Sequence, residues 1–327
     1  MIVTAFSISD YEQPALDNFN QGRHQIRYVA ESLSINSVDR ANGCDAVLVF
    51  TNDDASAPIL QRLHEKGVRY LVTRSTGMDH IDQKAAKELG IQVGNVPSYS
   101  PHAIAEHAVA LMLALSRQLL RADYNVKRFD FRLTEKLLGF ELKGKTAGIV
   151  GCGNTGAAVI DILRGFGCRV IAHDVKPELA APTRDPIEFV DLPTLLMQSD
   201  IISIHVPLNE STKGMFDQTT IAQMKRGAML INTGRGAVLN TEDAIEALKD
   251  GQLGYLGIDV YEKEKGLFFQ DRSREPRDPL LEKLMQQNNV IITGHQAFLT
   301  REAVDSISRQ TIELLNRWAT ENSQLPG

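Results

Sequence analysis

Short apolar runs alternate with amphipathic segments along most of the chain. In the first hundred residues, nearly continuous apolar runs predict buried parallel strands over Ile2–Phe6, Ala46–Phe50 and Tyr70–Thr73. Amphipathic spacing predicts helices over Pro58–Lys66 and Gln83–Leu89. Residues 1–100 are therefore expected to form a first α/β unit.

A second series of apolar runs follows residue 143, with helical segments between most of them. It predicts six strands of a doubly wound sheet: Thr146–Val150, Arg169–Ala172, Ile201–Ile204, Met229–Asn232, Leu256–Asp259 and Val290–Thr293. A long helix, apolar over most of its circumference, is predicted from about His102 to Leu120, and a final helix from about Arg301 to Ala319. The second series covers roughly residues 101–297, and the final helix fits either unit.

Composition narrows the class of protein. The 327 residues are 43% hydrophobic and 23% charged, with a net charge of −6 and no basic run, so a nucleic-acid partner is not expected. Three widely spaced cysteines show no disulfide or metal-ligand rhythm, which predicts reduced thiols and no bound metal. The N-terminus lacks a signal-peptide pattern, and the longest apolar stretch is too short to span a bilayer. A cytoplasmic protein with no membrane partner is expected.

A glycine loop carries the first functional signal. Gly151-Cys152-Gly153-Asn154-Thr155-Gly156 follows a predicted strand and opens a predicted helix. Gly151 permits a tight turn, Gly153 lets the backbone approach a pyrophosphate, and Gly156 lets the helix pack closely on the strand. The free N–H groups of the helix N-terminus favour phosphate. The loop predicts a dinucleotide site.

Asp174 indicates which dinucleotide the glycine loop binds. It lies 18 residues after Gly156, at the end of the next predicted strand. A carboxylate there accepts hydrogen bonds from ribose hydroxyls and repels a 2′-phosphate, which predicts NAD over NADP. His173 and Lys176 are close enough in sequence to permit some NADP use.

Polar residues after the later strands suggest the chemistry. Arg235 lies between two glycines and can hold a carboxylate through two parallel hydrogen bonds. His295 can exchange a proton near neutral pH. Asp259, Glu262 and Glu264 are alternative acids to orient that histidine, and spacing does not choose among them. A carboxylate anchor and a proton donor are what hydride transfer to a 2-keto acid requires.

These residues stand in a longer pattern. The whole chain resembles the D-specific 2-hydroxyacid dehydrogenases, and within them the bacterial fermentative D-lactate branch. The stretches that carry the resemblance include Ala41–Val47, Val96–Pro101, Ala105-Glu106-His107-Ala108, Gly144–Gly148, Asp191–Leu195, Asp259–Glu262, Gly266–Asp271 and Thr293–Thr300. The last two of these are typical of the lactate branch. The resemblance implies NAD-dependent, reversible reduction of pyruvate to D-lactate.

The resemblance also implies residue roles. Arg235 would bind the substrate carboxylate, His295 would be the acid/base, and Glu264 would be its partner. Substrate contacts are expected from Ser75, Thr76, Gly77, Tyr99 and Phe298. Cofactor contacts are expected from the glycines Gly151, Gly153 and Gly156, and from Asn154, Thr155, Asp174, Val206, Pro207, Thr212, Thr233, Gly234 and Asp259.

The resemblance further implies an organisation. The fold class is α/β, with two Rossmann-like doubly wound parallel-sheet domains and an interdomain active-site cleft. Residues 1–100 plus 298–327 would form a discontinuous catalytic domain, and residues 101–297 the NAD-binding domain. A homodimer through the nucleotide-binding domain is expected, with a tetramer as the alternative. The apolar helix from Pro101 would lie in that interface.

Two alternatives stay open. Met78-Asp79-His80 departs from the common family pattern on the substrate side, so a bulkier 2-keto acid such as phenylpyruvate is the first alternative. The second is an NAD(H)-sensing binding protein related to corepressors built on this fold, which would bind NADH without turnover.

Overall fold

The structure is a computed structural model that describes residues 1–323, and these form two compact units. Unit 1 contains Met1–Ser100 together with the chain from Leu299 onward. Unit 2 contains Pro101–Phe298.

Unit 1 contains a five-stranded parallel sheet in the order β2-β1-β3-β4-β5. Its strands are β1 (Ile2–Ala5), β2 (Gln25–Tyr28), β3 (Ala46–Val49), β4 (Tyr70–Thr73) and β5 (Gln92–Asn95). Its first helices are α1 (Gln13–Asn20), α2 (Ala57–Glu65) and α3 (Gln83–Glu88). The sequence did not indicate β2 and β5, because these edge strands are only partly buried and lack a continuous apolar run.

Unit 2 contains a seven-stranded sheet in the order β12-β11-β10-β9-β6-β7-β8, again all parallel. The strands are β6 (Thr146–Val150), β7 (Arg169–His173), β8 (Glu188–Phe189), β9 (Ile201–Ile204), β10 (Ala228–Asn232), β11 (Leu253–Ile258) and β12 (Val290–Ile292). The helices are α4 (Pro101–Ser116), α5 (Leu119–Lys127), α6 (Asn154–Gly165), α7 (Leu192–Gln198), α8 (Gln218–Ala222), α9 (Thr241–Asp250) and α10 (Pro279–Met285). Six of these strands were predicted, and the two-residue β8 was too short to indicate. The doubly wound α/β class is confirmed for both sheets.

The last helix, α11 (Arg301–Ser323), packs in unit 1. Trp318 stacks on Tyr70 with ring centroids 4.8 Å apart, and Ile312 and Leu315 are buried in the same apolar cluster as Val3. The final helix therefore completes the core of the N-terminal sheet.

The predicted helix over 102–120 is wrong in its extent. It ends at Ser116, because Gln118 adopts a left-handed conformation with φ of 52° before α5 begins. Buried α4 side chains such as Ala105 and Met112 share one core cluster with Ile149 of β6. Most of the apolar surface of α4 is thus covered within unit 2. Among residues 1–323, no single helix is long and apolar enough to cross a membrane, although α4 and α5 pass that test as a pair bent by 61°.

Candidate functional site

Three predicted functional residues follow neighbouring strands of the seven-stranded sheet. Arg235 follows β10, Asp259 follows β11 and His295 follows β12. Parallel strands place all their carboxyl ends at one edge, and in open α/β sheets that edge is where ligands bind. The glycine loop after β6 and Asp174 after β7 lie at the same edge.

The glycine loop has the geometry that a pyrophosphate requires. Gly151 has φ of 94°, and a Cβ there would approach the His205 carbonyl oxygen at 2.7 Å. A Cβ on Gly156 would overlap the Gly151 carbonyl oxygen. Gly153 is different, because the space around it is open for 4 Å, and it caps α6. The N-terminus of α6 is therefore accessible to a phosphate at Gly153 and closed by tight packing on either side.

Asp174 is tied to the glycine loop. Its Oδ2 accepts the Cys152 backbone N–H at 2.8 Å, and its Oδ1 accepts the Lys176 backbone N–H at 2.9 Å. These bonds hold the half-buried carboxylate at the end of β7. Burial, and to a smaller extent the Asp174 charge, raises the pKa of the Cys152 thiol to about 12. That thiol is therefore protonated at neutral pH.

The segments after β9 and β10 contain the other predicted cofactor residues. The Thr212 hydroxyl donates to the Pro207 carbonyl at 2.6 Å, which closes the turn after Val206. The Gly234 N–H donates to the buried Asn232 side chain at 3.0 Å. Thr233 is 6% exposed, and its hydroxyl oxygen is buried with no hydrogen-bond partner among the described residues. An unsatisfied buried hydroxyl at a strand end fits a site that a polar ligand completes.

Arg235 has a fixed backbone and a half-buried side chain. Asn232 Nδ2 donates to the Arg235 carbonyl at 2.9 Å, and the guanidinium donates to the Gly234 carbonyl at 3.0 Å. Gly236 permits this arrangement, because a Cβ there would overlap the backbone of Tyr261. The second flanking glycine thus allows β10 and the segment after β11 to approach closely.

His295 is paired with Glu264. His295 Nδ1 lies 2.8 Å from Glu264 Oε1, and Glu264 Oε2 accepts the Tyr261 backbone N–H at 3.0 Å. The two side chains are 13% and 24% exposed. A carboxylate at Nδ1 assigns the proton to that nitrogen and leaves Nε2 for a substrate. Of the three acids that spacing left open, Glu264 is the one that the structure brings to the histidine.

Asp259 holds the backbone around His295. It is fully buried, and its carboxylate accepts the Thr293 hydroxyl and the N–H groups of Gln296 and Ala297. Its own carbonyl accepts the His295 N–H at 2.6 Å. Direct contact between Asp259 and the cofactor stays a prediction.

Sequence reasoning missed Phe269. Its ring centroid lies 5.6 Å from that of His295 at an interplanar angle of 40°, and its φ of 64° is unusual for an aromatic residue. The Gly266–Asp271 stretch carried the family resemblance, but nothing in its pattern indicated which ring meets the imidazole.

The predicted substrate loop of unit 1 follows β4. Ser75 Oγ bonds to Thr73 Oγ1 and to the Gly77 carbonyl, and Thr76 Oγ1 donates to the Val96 carbonyl at 3.0 Å. These side chains therefore shape the backbone of the loop. Tyr99 of this unit is half-buried.

Arg74, immediately before that loop, is a second residue that sequence reasoning missed. It is 1% exposed, its Nε donates to Glu12 Oε1 at 3.1 Å, and its NH2 group donates to the carbonyls of Phe6 and Ser7. Its guanidinium also lies 5.6 Å from the Phe50 ring centroid. A buried arginine thus links the ends of β1, β3 and β4. Phe298, the other predicted substrate-side residue, is 7% exposed and ends unit 2.

Comparison with known proteins adds the family. Residues 109–297 match the family described as D-isomer specific 2-hydroxyacid dehydrogenase, NAD binding domain. The chain is 42% identical to a D-lactate dehydrogenase of Escherichia coli, over 97% of this chain and 96% of that protein. Among solved structures, a pyruvate reductase of Chlamydomonas reinhardtii aligns with a TM-score of 0.89 and 35% identity, covering 98% of this chain and 97% of the other. A D-lactate dehydrogenase from Aquifex aeolicus, complexed with NAD and lactic acid, aligns with a TM-score of 0.87 and 28% identity, covering 98% and 96%.

Proposed function

The chain belongs to the D-isomer specific 2-hydroxyacid dehydrogenase family, and on that premise we propose that it reduces pyruvate to D-lactate with NADH. It is an NAD-dependent oxidoreductase, as the NAD-binding family match over 109–297 shows. The observation that carries the proposal beyond the family is the His295–Glu264 pair at 2.8 Å, because it supplies a proton donor whose second ring nitrogen is available. Pyruvate is proposed as the substrate because relatives of high coverage are named for pyruvate or D-lactate.

His295 is proposed to move the proton. When NADH is bound, it supplies a hydride to the keto carbon. The imidazolium of His295 gives its Nε2 proton to the keto oxygen, so the carbonyl becomes a hydroxyl and the ring becomes neutral. Glu264 holds Nδ1–H and stabilises the charged ring before transfer. In the reverse direction neutral His295 accepts the hydroxyl proton.

Arg235 is proposed to anchor the substrate. A guanidinium can hold a 2-keto acid carboxylate through two parallel hydrogen bonds, and it polarises the neighbouring keto oxygen. The rigid backbone from Asn232 to Gly236 supports this role, because it limits where the guanidinium can go. The amides of the Ser75–Gly77 loop, with Tyr99 and Phe298 as pocket walls, are proposed as further substrate contacts on the basis of the family resemblance.

NAD is proposed to be used in preference to NADP. The Asp174 carboxylate is fixed by two backbone N–H groups, and a fixed anion repels a 2′-phosphate. We expect Asp174→Ala to raise the NADPH-to-NADH ratio of kcat/KM by about 10-fold, because the repulsion between two anions would be removed. Asp185→Ala, at an exposed aspartate in the same unit, is the control.

A homodimer through unit 2 is proposed as the assembly, but on a different surface from the one first expected. The body of α4 is mostly covered within unit 2. The segment 119–138 instead contains large apolar side chains that are 51–95% exposed: Leu119, Leu120, Tyr124, Val126, Phe129, Phe131, Leu133 and Leu138. Large apolar side chains exposed in this number along one segment are typical of protein–protein contact surfaces. Light scattering should give a mass of at least twice 36.2 kDa.

A cytoplasmic location is also proposed, in keeping with three free, buried thiols.

One set of assays tests the substrate. Initial rates are measured with NADH and equal concentrations of pyruvate and phenylpyruvate, then with NADPH. A higher kcat/KM for pyruvate with NADH supports the proposal. Preference for phenylpyruvate would move the chain to the bulkier-substrate branch of the same family. Tight NADH binding without turnover of either acid would contradict an enzymatic role and favour an NAD(H)-sensing protein.

A further inference from the structure

His107 lies in the middle of α4, within the Ala105-Glu106-His107-Ala108 stretch, to which the proposed reaction gives no role. Its side chain is 19% exposed. Its Nε2 lies 2.9 Å from the Thr293 hydroxyl, which stands directly after β12 and two residues before His295. A histidine on a helix therefore contacts the start of the acid/base loop.

The direction of each hydrogen bond can be assigned. The Thr293 hydroxyl donates to Asp259 Oδ1 at 2.5 Å. A hydroxyl has a single proton, so Thr293 must accept the bond from His107. His107 therefore carries its proton on Nε2 and donates it to Thr293. His107 thus donates to Thr293, and Thr293 donates to Asp259, which accepts the last hydrogen bond.

Asp259 is the junction between this chain and His295. Its carboxylate is fully buried and lies 3.6 Å from His107 Nε2. The same carboxylate accepts the N–H groups of Gln296 and Ala297, and the Asp259 carbonyl accepts the His295 N–H. A buried anion is tolerated only where hydrogen-bond donors satisfy it. These hydrogen bonds hold the backbone on both sides of His295. Losing the ordered Thr293 donor would weaken them.

The backbone conformation of His295 depends on the hydrogen bonds made by Asp259. Its φ is 54°, in the left-handed region that residues with a side chain rarely adopt. A conformation of this kind persists only where the surroundings hold it. The hydrogen bonds to Asp259 hold this backbone conformation. The conformation in turn orients the His295 ring toward Glu264.

We propose that His107 is a positioning residue for the reaction. By donating to Thr293, it orders the Thr293–Asp259 bond, and that bond keeps His295 in the backbone conformation in which Nδ1 meets Glu264. This inference rests on the proposed role of His295 as acid/base. It assigns His107 no contact with substrate or cofactor.

The test separates positioning from folding and binding. We expect His107→Ala to lower kcat for pyruvate reduction about 10-fold, because small misplacements of a catalytic group are costly. KM for pyruvate, the Kd for NADH and the melting temperature should stay close to those of the unmodified chain. His107→Gln should recover to within about 3-fold of the original kcat, because an amide N–H can replace Nε2–H. His64→Ala, at an exposed histidine of α2, is the control and should leave kcat unchanged.

A double variant tests the chain of hydrogen bonds. Thr293→Val should lower kcat to a similar extent, and His107→Ala combined with Thr293→Val should be no worse than the poorer single variant. Additive losses, or an unchanged kcat in His107→Ala, would overturn the inference. His295→Ala is assayed in parallel. If it abolishes turnover while His107→Ala does not change kcat, only this inference fails. If His295→Ala retains full turnover, the proposed function fails.

Discussion

At the carboxyl end of each sheet an acid is paired with a basic side chain, and the two pairs differ in their exposure to solvent. In unit 1, Arg74 and Glu12 meet at 3.1 Å with side chains 1% and 9% exposed. In unit 2, His295 and Glu264 meet at 2.8 Å with side chains 13% and 24% exposed. In the first pair, Arg74 Nε donates to Glu12 and its NH2 group donates to backbone carbonyls, while its NH1 group is buried without a hydrogen-bond partner among the described residues. In the second pair, only Nδ1 of the imidazole contacts the acid, and Nε2 is the nitrogen that we propose exchanges the proton.

The two pairs thus lie at equivalent edges of two parallel sheets that differ in strand number and order. A fully buried ion pair is strongly destabilising when one partner is removed, because the other charge is left uncompensated. A partly exposed pair contributes less to folding, but it can exchange a proton with a bound molecule. We therefore expect substitutions in the Arg74–Glu12 pair to change stability and those in the His295–Glu264 pair to change turnover.

Arg235→Ala should lower turnover as strongly as His295→Ala. Loss of the bidentate carboxylate anchor is expected to lower kcat/KM for pyruvate about 10³-fold, which corresponds to about 4 kcal/mol. Steady-state kinetics measure this, and Arg62→Ala, at a partly exposed arginine of unit 1, is the control. A loss below about 10-fold would remove Arg235 from the proposed site.

Arg74→Ala should have the largest effect on stability. It leaves Glu12 buried without its partner, so the free energy of unfolding should fall by about 3 to 5 kcal/mol. Urea denaturation measures the change. The double variant Arg74→Met with Glu12→Leu removes both charges and should recover most of the loss. If Arg74→Ala cost no more than an exposed substitution such as Arg62→Ala, the contrast between the two pairs would be lost.

Glu264→Gln should reduce turnover by a smaller amount. The amide oxygen can still accept Nδ1–H of His295, but a neutral partner does not stabilise the imidazolium, so kcat should fall about 10²-fold. The melting temperature should change little. Glu262→Gln replaces the neighbouring acid in the same way and should keep full activity. Equal losses in both variants would show that proximity to His295 does not determine the effect.

Replacing His205 should have the smallest effect of these substitutions, and the effect should be on the pH dependence of stability. Burial lowers the pKa of His205 to about 4, whereas an unfolded histidine titrates near 6.5. Below pH 6.5 the unfolded chain therefore binds a proton that the folded chain does not. Neutral His205 therefore contributes its full share to the free energy of unfolding above pH 6.5. As the pH falls, the free energy of unfolding decreases, by about 1 kcal/mol between pH 6.5 and 5.5.

His205→Gln should flatten the dependence of the melting temperature on pH in this window. His64→Gln, at an exposed position, should leave that dependence as it is. An unchanged slope in His205→Gln would mean that other groups dominate the acid sensitivity of unit 2.

The sequence predicted most of the architecture of unit 2 and less of unit 1. Buried strands such as β6 and β9 were found with their observed bounds, because a strand covered on both faces is apolar throughout. The edge strands β2 and β5 lacked that signal. The break between α4 and α5 also went unpredicted, since Gln118 is not a residue type that indicates a left-handed turn.

The sequence nominated residue types for the candidate site, whereas their pairings came only from the structure. Arg235 and His295 were predicted because their chemistry suits a 2-keto acid, and their roles stay predictions. The choice of Glu264 over Asp259 and Glu262 depends on the turn after β11, which spacing does not specify. The Arg74–Glu12 pair joins residues 62 positions apart, so no local pattern could indicate it.

We propose above all that the His295–Glu264 pair supplies the proton when NADH reduces pyruvate to D-lactate. The most direct measurement is NADH oxidation with pyruvate at neutral pH by the unmodified chain and by His295→Ala, with the enantiomer of the product assigned by chiral chromatography. We expect D-lactate from the unmodified chain and a rate lower by about 10³-fold in the variant, which should still bind NADH. L-lactate as the product, or an undiminished rate in His295→Ala, would contradict it.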